Sequence, residues 1–409
     1  MRIYLAAILL IPIPAALHAE PMTLDAALAR AASEAPELRG REAGIDAAQS
    51  AALAADRLPD PKLNIVLQDF PVTGPDAGRF NRDDFTMQVI GVSQDFPNPA
   101  KRRARATRAQ ADIGIARADE AVTAQDIRLA TALAWVDLYY AKKRLKELDL
   151  LDVGLEDLQA TVTARLASGA ARPAQALEPD QLRAAINDRR SALAAEIARA
   201  RAQLVRFTGD PAADTMGDLP PQMIDEQRLR AGIDALPRLR ALDARAIAAD
   251  AETGLARADK RPDWSVNAAY GRREPNYGDL VTVGVTVDLP FFSKKRQDPK
   301  IAARASEATR ARLDREAAKR DIAAALDADL ADHRMHHEQL ANARTRLVPL
   351  AKKRAELDLA SYAARKLDLG TALLSTLALA EAEVDALARE AEVARDAIRI
   401  NYIYGETGR

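Results

Sequence analysis

The chain has 409 residues, of which 48% are hydrophobic and only 4% aromatic, and its 59 basic and 60 acidic side chains give a formal net charge of −1. The absence of cysteine excludes a disulfide scaffold, a thiolate metal site, a cysteine nucleophile and a lipid attached to an N-terminal cysteine. The balanced charge gives no reason to expect nucleic-acid binding, and Ala and Leu mixed with charged residues are typical of long helices.

Residues 1–19 have the pattern of a secretory signal peptide. Arg2 supplies a positive start, an apolar run extends from Ile3 to Leu17, and Leu17-His18-Ala19 forms an acceptable cleavage site. As a helix this run would rise only ~22 Å, which is short for a bilayer core of ~30 Å, so we expect export. No later stretch reaches about 18 apolar residues without a charge, which excludes a helical inner-membrane protein.

The rest of the chain contains two diverged copies of one plan, which we place at residues 20–215 and 216–409. The string GVSQDFPNPAKRR at 91–103 corresponds to GVTVDLPFFSKKR at 284–296, with an offset of 193 residues. The same offset aligns LASGAAR at 166–172 with LASYAAR at 359–365. One register kept over such a distance indicates an internal duplication. The join lies near 209–222, where Pro and Gly interrupt the helical pattern.

Each copy contains two segments in which apolar and polar residues alternate, as in strands with one apolar and one polar face. They span about 62–70 and 85–95 in the first copy, and about 264–272 and 280–288 in the second. Polar loops with Gly, Pro and Asn join the members of each pair, so each pair is expected to form a hairpin. Four strands cannot close a membrane barrel alone, because the smallest barrels need about eight.

Aromatic residues concentrate in these hairpins, since nine of the 17 lie within 60–100 and 261–293. Rings near strand ends are typical of the aromatic girdle of membrane strands. A soluble sheet with aromatic cross-strand pairs is the alternative interpretation, and the sequence leaves it open.

Long helices follow the hairpins. The pattern predicts uninterrupted helices over about 101–168 and 300–365, each reaching ~100 Å, and shorter ones over about 23–57, 176–208, 226–259 and 368–400. Helical hairpins are therefore expected over about 101–208 and 300–400. Such helices need neighbours within the chain and from other chains. One predicted packing stripe contains Ile322, Leu326, Leu330, Leu340 and Leu347.

The order helix, strand, strand, long helix, turn and helix, with DFPNPAKRRAR in one copy and DLPFFSKKRQDPKIAAR in the other, resembles the TolC-type outer-membrane efflux channels. The two strings are similar to those of the heavy-metal efflux (CzcC/CusC-like) branch, and the resemblance covers about 23–405. It implies a mainly α fold with a small β part, a duplicated strand hairpin plus long helical hairpin. Three chains would then form a trimeric β-barrel continued by an α-helical periplasmic tunnel. Ala100 stands where the similar string usually has Gly, so the turn there must form without a residue free to take φ > 0.

The resemblance also implies a function. The chain is expected to be a passive exit duct of a tripartite RND-type efflux system, carrying heavy-metal cations or drugs through the outer membrane of a Gram-negative bacterium and extending into the periplasm. The implied partners are two further copies in a homotrimer, a periplasmic adaptor, an inner-membrane RND pump and outer-membrane lipid, with no nucleic acid, cofactor or enzymatic activity. A periplasmic coiled-coil adaptor or structural rod is the main alternative, which explains the helices but not the alternating strands.

Candidate functional residues lie at the turns that join the helices. The turns are expected to contact the adaptor through Ser168, Gly169, Arg172, Ser361, Tyr362 and Arg365. The resemblance also implies inward-pointing acidic gate residues, for which the candidates are Asp368, Glu178 and Asp180. For each of these three, an ordinary surface carboxylate is the alternative.

Two further clusters have open interpretations. His333 and His337 are spaced i, i+4, with Met335 between them, and are weak candidates for metal ligands. The alternative is that they fill a helix seam. Basic residues follow the second strand of each copy and either meet lipid phosphates or lie in solvated first turns of helices: Lys101, Arg102, Arg103 and Arg105, and Lys294, Lys295 and Arg296.

Overall fold

A computed structural model of the chain describes residues 21–80, 82, 84–167, 174 and 177–405. The expected signal peptide and the first turn, with Ser168, Gly169 and Arg172, lie outside the described residues. The chain divides into two compact units. Unit 1 comprises the described parts of Met1–Pro36, Ala124–Gly232 and Ala323–Arg409, and unit 2 comprises those of Glu37–Thr123 and Ile233–Ile322. Each unit contains segments of both predicted repeats, whose boundaries remain a prediction.

The mainly helical fold with a small β part is confirmed. The helices are α1 (Leu24–Glu34), α2 (Pro36–Ala54), α3 (Pro99–Ala167), α4 (Glu178–Thr208), α5 (Glu226–Gly232), α6 (Pro237–Ala258), α7 (Gln297–Asn342), α8 (Val348–Ala363) and α9 (Leu369–Tyr404). The strands are β1 (Pro21–Met22), β2 (Lys62–Gln68), β3 (Met87–Phe96), β4 (Asp214–Thr215), β5 (Trp264–Arg272) and β6 (Leu280–Val287). Across the ranges given above, the structure has no helix that combines the length and the apolar character needed to cross a membrane.

Prolines divide two of the predicted helices. The helix expected over 23–57 is broken at Ala35, and Pro36 begins α2. The helix expected over 226–259 is broken before Pro237, which begins α6. Proline lacks a backbone N–H and clashes with the preceding turn, so it fits the first position of a helix but not the interior.

The prediction of an uninterrupted helix over 300–365 is wrong at one point, because that range contains Pro349. Residues Ala343–Leu347 form a π-helical turn between α7 and α8. Pro349 cannot donate to the carbonyl four residues earlier and crowds it, and a wider turn accommodates this defect. In the predicted packing stripe, Leu326 and Leu330 are buried. Leu347, the last residue of the π-helical turn, is exposed.

The core of unit 1 contains a fully buried ring among small side chains. Trp135 of α3 is fully buried, and its indole Nε1 donates to the backbone oxygen of Met22 at 2.9 Å. This bond ties β1, which pairs in parallel with β4, to the long helix. Alanines on neighbouring helices let the backbones approach closely, so few rings are needed. The surrounding core includes Leu24, Ala27, Ala132, Leu138, Ala200, Leu204, Ala391 and Ile398.

Unit 2 contains a four-stranded antiparallel sheet with the strand order β2-β3-β5-β6. The two hairpins meet through β3 and β5, so that β2 and β6 are the outermost strands. Opposite residues form rows across the sheet, and side chains of one row point to one side. Two neighbouring rows on the same side are Leu63, Val92, Ala268 and Val283, and Ile65, Ile90, Tyr270 and Val281.

Asn98 joins the start of α3 to the start of β5 within unit 2. Its side-chain Oδ1 accepts a hydrogen bond from the backbone N of Lys101 at 2.8 Å, and Pro99 occupies the first helical position. Asparagine before proline is a favourable helix start. The buried amide of Asn98 also donates to Asp263 Oδ1 at 2.8 Å, to the backbone oxygen of Ala258 at the end of α6 and to that of Arg261. Ala100 is the second residue of α3 and needs no positive φ.

Asp263 receives the other donors of this junction. The backbone N of Asn98 donates to Asp263 Oδ1 at 2.7 Å, and Nζ of Lys101 lies 3.0 Å from Asp263 Oδ2. Burial alone would raise the pKa of Asp263, but the hydrogen bonds from Asn98 and Lys101 lower it overall. The junction therefore holds a carboxylate whose charge is satisfied by two residues of the other predicted repeat.

We expect Asn98→Ala to lower the free energy of unfolding by about 2–3 kcal/mol, because it removes a helix cap and strips donors from a partly buried carboxylate. Urea denaturation of the full chain in detergent measures this change. The control is Asn276→Ala in the exposed loop between β5 and β6, for which we expect less than about 0.5 kcal/mol. Equal effects of the two substitutions would contradict the role of Asn98.

Candidate functional site

One face of the four-stranded sheet is apolar and exposed. We call it the apolar sheet face, and it consists of Leu63, Ile65, Ile90, Val92, Val266, Ala268, Tyr270, Val281, Val283 and Val285, with Phe96, Trp264 and Val287 in the last row. Its polar members are Gln94 in the row of Val266, and Gln88 and Arg272 at the far end. Val281 and Val283 are 74% and 70% exposed. In the last row the rings of Phe96 and Trp264 stack at 4.3 Å. An apolar surface this continuous marks a place where a nonaqueous environment or another chain covers the protein.

The opposite face of the sheet carries small and polar side chains together with Val66, Met87, Val89 and Leu280. Nζ of Lys62 lies 2.7 Å from Asp95 Oδ2, and Asn64 donates to Ser93 at 3.5 Å. A side chain at Gly284 would fall only 2.6 Å from Asn267 Oδ1, so the glycine makes room for that amide. The two faces differ in chemistry over the rows of β5 and β6. In β3 the alternation expected from Met87, Val89 and Gly91 is wrong, because these residues lie on the opposite face and Ile90 and Val92 lie on the apolar one.

The second helix turn, between α8 and α9 in unit 1, forms without glycine. Arg365 has φ = 59°, a left-handed conformation that costs a non-glycine residue ~1–2 kcal/mol. Its backbone N donates to Tyr362 O at 3.0 Å, and the N of Lys366 donates to Ser361 O at 2.9 Å. These two bonds make a Schellman motif, in which glycine is the usual left-handed residue.

The side chains of this turn divide into an anchor and an exposed part. Tyr362 is buried against Leu148, Leu182 and Leu369, so in this chain its side chain holds the turn in place. Arg365 is exposed, and the Ser361 hydroxyl donates back to the backbone of α8. Ser361, Tyr362 and Arg365 remain predicted adaptor contacts, with Arg365 the most accessible of the three.

Two of the predicted gate residues meet at this turn, although they are 190 positions apart in the sequence. Asp368 caps α9, where its carboxylate accepts from the backbone N of Thr371 at 2.9 Å and from the Thr371 hydroxyl at 2.8 Å. Glu178 begins α4. A Cβ placed on Gly370 would lie 3.2 Å from Asp368 Oδ1 and 3.3 Å from Glu178 Oε1. Both carboxylates therefore face the space that the glycine leaves open.

The two carboxylates differ in their electrostatics. Hydrogen bonds from the backbone and hydroxyl of Thr371 lower the pKa of Asp368. Burial, together with the negative charge of Asp368, raises the pKa of Glu178. No hydrogen-bond donor among the described residues reaches Glu178 Oε2, which is buried. Asp180, the third gate candidate, is exposed and lies 3.7 Å from Arg183.

The histidine cluster lies on α7. The rings of His333 and His337 are 6.1 Å apart, and burial lowers the pKa of His333. The intervening His336 lies 2.7 Å from Asp396, a buried carboxylate of α9, so this histidine occupies the seam between the two helices. Within the described ranges, no group of three or more His, Cys, Asp or Glu side chains is placed to hold a metal ion. His333 and His337 stay weak candidates.

Sequence reasoning missed two features of these regions. The pairing of Glu178 with Asp368 has no local signal, because it depends on how α4 packs beside α9. For the Asn98–Asp263 junction, the Asn-Pro pair in the sequence indicates the start of α3. Nothing local indicates the contact with Asp263, which lies 165 residues further on.

Comparison with known proteins supplies the family context for this geometry. No protein-family model matches the chain. A membrane protein from Pseudomonas aeruginosa has a TM-score of 0.78 at 16% identity, covering 94% of this chain and 91% of its own. The channel protein CusC has a TM-score of 0.76 at 13% identity, covering 94% and 92%. This chain has the TolC-type outer-membrane channel fold. The resemblance predicted from the sequence is thereby confirmed.

One curated relative matches at the level of sequence. The cobalt-zinc-cadmium resistance protein CzcC of Cupriavidus metallidurans is 24% identical over 294 residues. The match covers 68% of this chain and 65% of CzcC, slightly less than two thirds of that relative's length. It points to the same branch of the TolC-type fold that the strings after the second strand of each copy indicate.

We expect Glu178→Gln to raise the melting temperature near neutral pH. A carboxyl whose pKa is raised on folding destabilises the folded state where it is ionised, and the penalty disappears as pH falls through the raised pKa. The difference in melting temperature between variant and wild type should therefore shrink from about pH 8 to about pH 5. The matched control is Asp180→Asn, which removes an exposed carboxylate of the same helix turn. A difference for Glu178→Gln that does not change with pH would contradict the assignment.

Proposed function

We propose that this chain is the outer-membrane subunit of an efflux channel, three copies of which form a passive exit duct. The apolar sheet face on a chain with the TolC-type fold is the observation that carries this proposal. Lipid acyl chains are the environment that covers such a face without a cost in free energy, and the polar face would then line the water-filled duct.

The free edges of the sheet support assembly with further copies. In the described part of the chain, β2 and β6 each pair on one side only. An unpaired strand edge within a membrane leaves backbone groups without hydrogen-bond partners, which is costly where water is absent. Pairing of β2 of one copy with β6 of the next would satisfy both edges, and three copies would supply twelve strands in a closed sheet.

The same proposal includes the partners and the cargo. The resemblance to tripartite systems supports a periplasmic adaptor and an inner-membrane RND pump, with the α8–α9 turn as an adaptor contact and Glu178 and Asp368 as gate residues. The sequence likeness to CzcC, a resistance protein for cobalt, zinc and cadmium, favours heavy-metal cations over drugs. The channel is proposed to have no catalytic activity, which is supported by the fold it shares with proteins described as channels.

A periplasmic adaptor or structural rod is the rival function. Long helices and an export signal fit it equally well. It does not account for a four-stranded sheet with ten apolar side chains facing outward in register, because in the periplasm that face would be in contact with water.

Single-cysteine labelling tests the membrane position of the sheet, since the chain has no cysteine of its own. In intact cells we expect a charged maleimide to label Thr282→Cys and Thr286→Cys at least about tenfold faster than Val283→Cys and Val285→Cys, because lipid shields alternate residues of a membrane strand. Lys352→Cys on the exposed side of α8 is the labelling control. Equal rates at all four strand positions would contradict the channel proposal.

Growth of a deletion strain tests the cargo. Deletion should lower the tolerated concentration of at least one of Cu, Ag, Zn, Cd and Co, and the wild-type chain should restore it. Complementation with Val283→Glu should fail, because the charge would face lipid, whereas Thr282→Glu on the polar face should restore growth. Loss of drug tolerance alone would contradict the heavy-metal assignment but would still agree with the proposal that the chain forms an efflux channel.

A further inference from the structure

The segment after β6, residues 289–296, exposes apolar and basic side chains side by side. Phe291 and Phe292 are 78% and 72% exposed, and Leu289 is also exposed. A short 3-10 helix, Ser293–Lys295, follows, and α7 begins at Gln297. We call this segment the basic turn. It lies entirely within unit 2.

The basic turn continues the apolar sheet face. Val287 pairs with Trp264, which pairs with Phe96, and this is the last row of the sheet. Leu289 lies two residues beyond that row, and the two phenylalanines come next. Exposed apolar residues therefore continue along the chain past the end of the strands, up to the point where the cations begin.

The three cations of the basic turn, Lys294, Lys295 and Arg296, are exposed. Within the residues that the structure describes, no carboxylate forms an ion pair with any of them. They also precede the N-terminus of α7, where positive charge opposes the helix dipole. The chain thus holds three like charges together without an intramolecular reason to do so.

The corresponding position in the first copy behaves differently. Nζ of Lys101 lies 3.0 Å from both Asp259 Oδ1 and Asp263 Oδ2, so this cation belongs to the Asn98 junction. In the sequence, the basic residues at 101–103 and at 294–296 occupy corresponding positions of the two copies. In the structure, the first begins with an internal ion pair, and the second leaves its charges facing outward.

We propose that the basic turn is a binding site for anionic phospholipid. Phe291 and Phe292 lie at the level of the headgroups, and Lys294, Lys295 and Arg296 bind phosphate groups of the leaflet that faces the periplasm. The inference rests on the proposed function, which puts the sheet in the outer membrane and α7 on its periplasmic side. Aromatic rings adjacent to clustered Lys and Arg are the combination that recognises an anionic membrane surface.

A second copy of the chain fits this turn less well. The neighbouring copy would have to present several carboxylates to three adjacent cations and also cover two phenylalanine rings. A headgroup layer offers phosphates beside an apolar interior in the same order in which the turn presents its rings and charges.

Quenching by brominated lipids tests the inference with the full chain in vesicles. Trp264 lies in the last row of the sheet, whereas Trp135 is fully buried in unit 1 and gives a constant background. We expect brominated phosphatidylglycerol to bind about tenfold more tightly than brominated phosphatidylcholine at low salt, since each cation near the surface favours anionic lipid. The triple variant Lys294→Gln, Lys295→Gln, Arg296→Gln should lower the ratio of the phosphatidylglycerol affinity to the phosphatidylcholine affinity about fivefold or more.

The matched control removes three exposed cations elsewhere, with Arg346→Gln, Lys352→Gln and Lys353→Gln, and should leave the ratio unchanged. If neither lipid quenches Trp264, the membrane position itself is wrong and the proposed function falls. If both lipids quench and the triple variant keeps the wild-type ratio, only the lipid site is wrong. If it keeps the ratio but loses the trimer in light scattering, the turn is a contact between copies and the inference is overturned.

Discussion

The apolar sheet face is the constraint on which the rest of the structure depends. Burying apolar area from water gains roughly 25 cal/mol per Å², and this chain leaves a continuous face of such area uncovered, together with two strand edges. Within the described residues, most of these side chains stay exposed, and β2 and β6 each keep one unpaired edge. In the proposed channel, lipid covers this face and a further copy of the chain pairs with each edge, so both would be part of the folded state.

The helices pack against one another mainly through small residues rather than through aromatic rings. They pack through alanines, so that close backbone approach replaces the bulk of aromatic rings, and one fully buried indole, Trp135, fixes β1 against α3. This is why aromatic residues are scarce along the chain as a whole yet concentrated at the hairpins. In the sheet, the rings of Trp264 and Phe96 stack in the last row of the apolar face, where the proposed function puts the boundary between lipid and water.

The turn between α8 and α9 shows how tertiary packing changes the meaning of single residues. In the sequence Asp368 is a single acidic residue with no evident partner, whereas in the structure its carboxylate caps the N-terminus of α9. Glu178 belongs to another helix, 190 positions earlier, and acquires its electrostatics from burial beside Asp368. Gly370 does not have a positive φ, so no turn conformation requires a glycine there. Its missing side chain leaves space for the two carboxylates. Arg365 takes a strained conformation because the bonds of its motif outweigh the cost.

The sequence by itself determined the features that depend on local pattern: the alternation that makes four two-faced strands, the long helices, the duplication, and the strings that carry the family resemblance. The predicted continuous helix over 300–365 was wrong at Pro349, a helix-breaking residue that the sequence itself contains. Only the tertiary structure decided which distant residues meet, such as Asn98 with Asp263 and Glu178 with Asp368, and which of two similar basic clusters faces outward. Periodicity is encoded by neighbours in the chain, whereas burial and charge pairing depend on partners more than a hundred residues away.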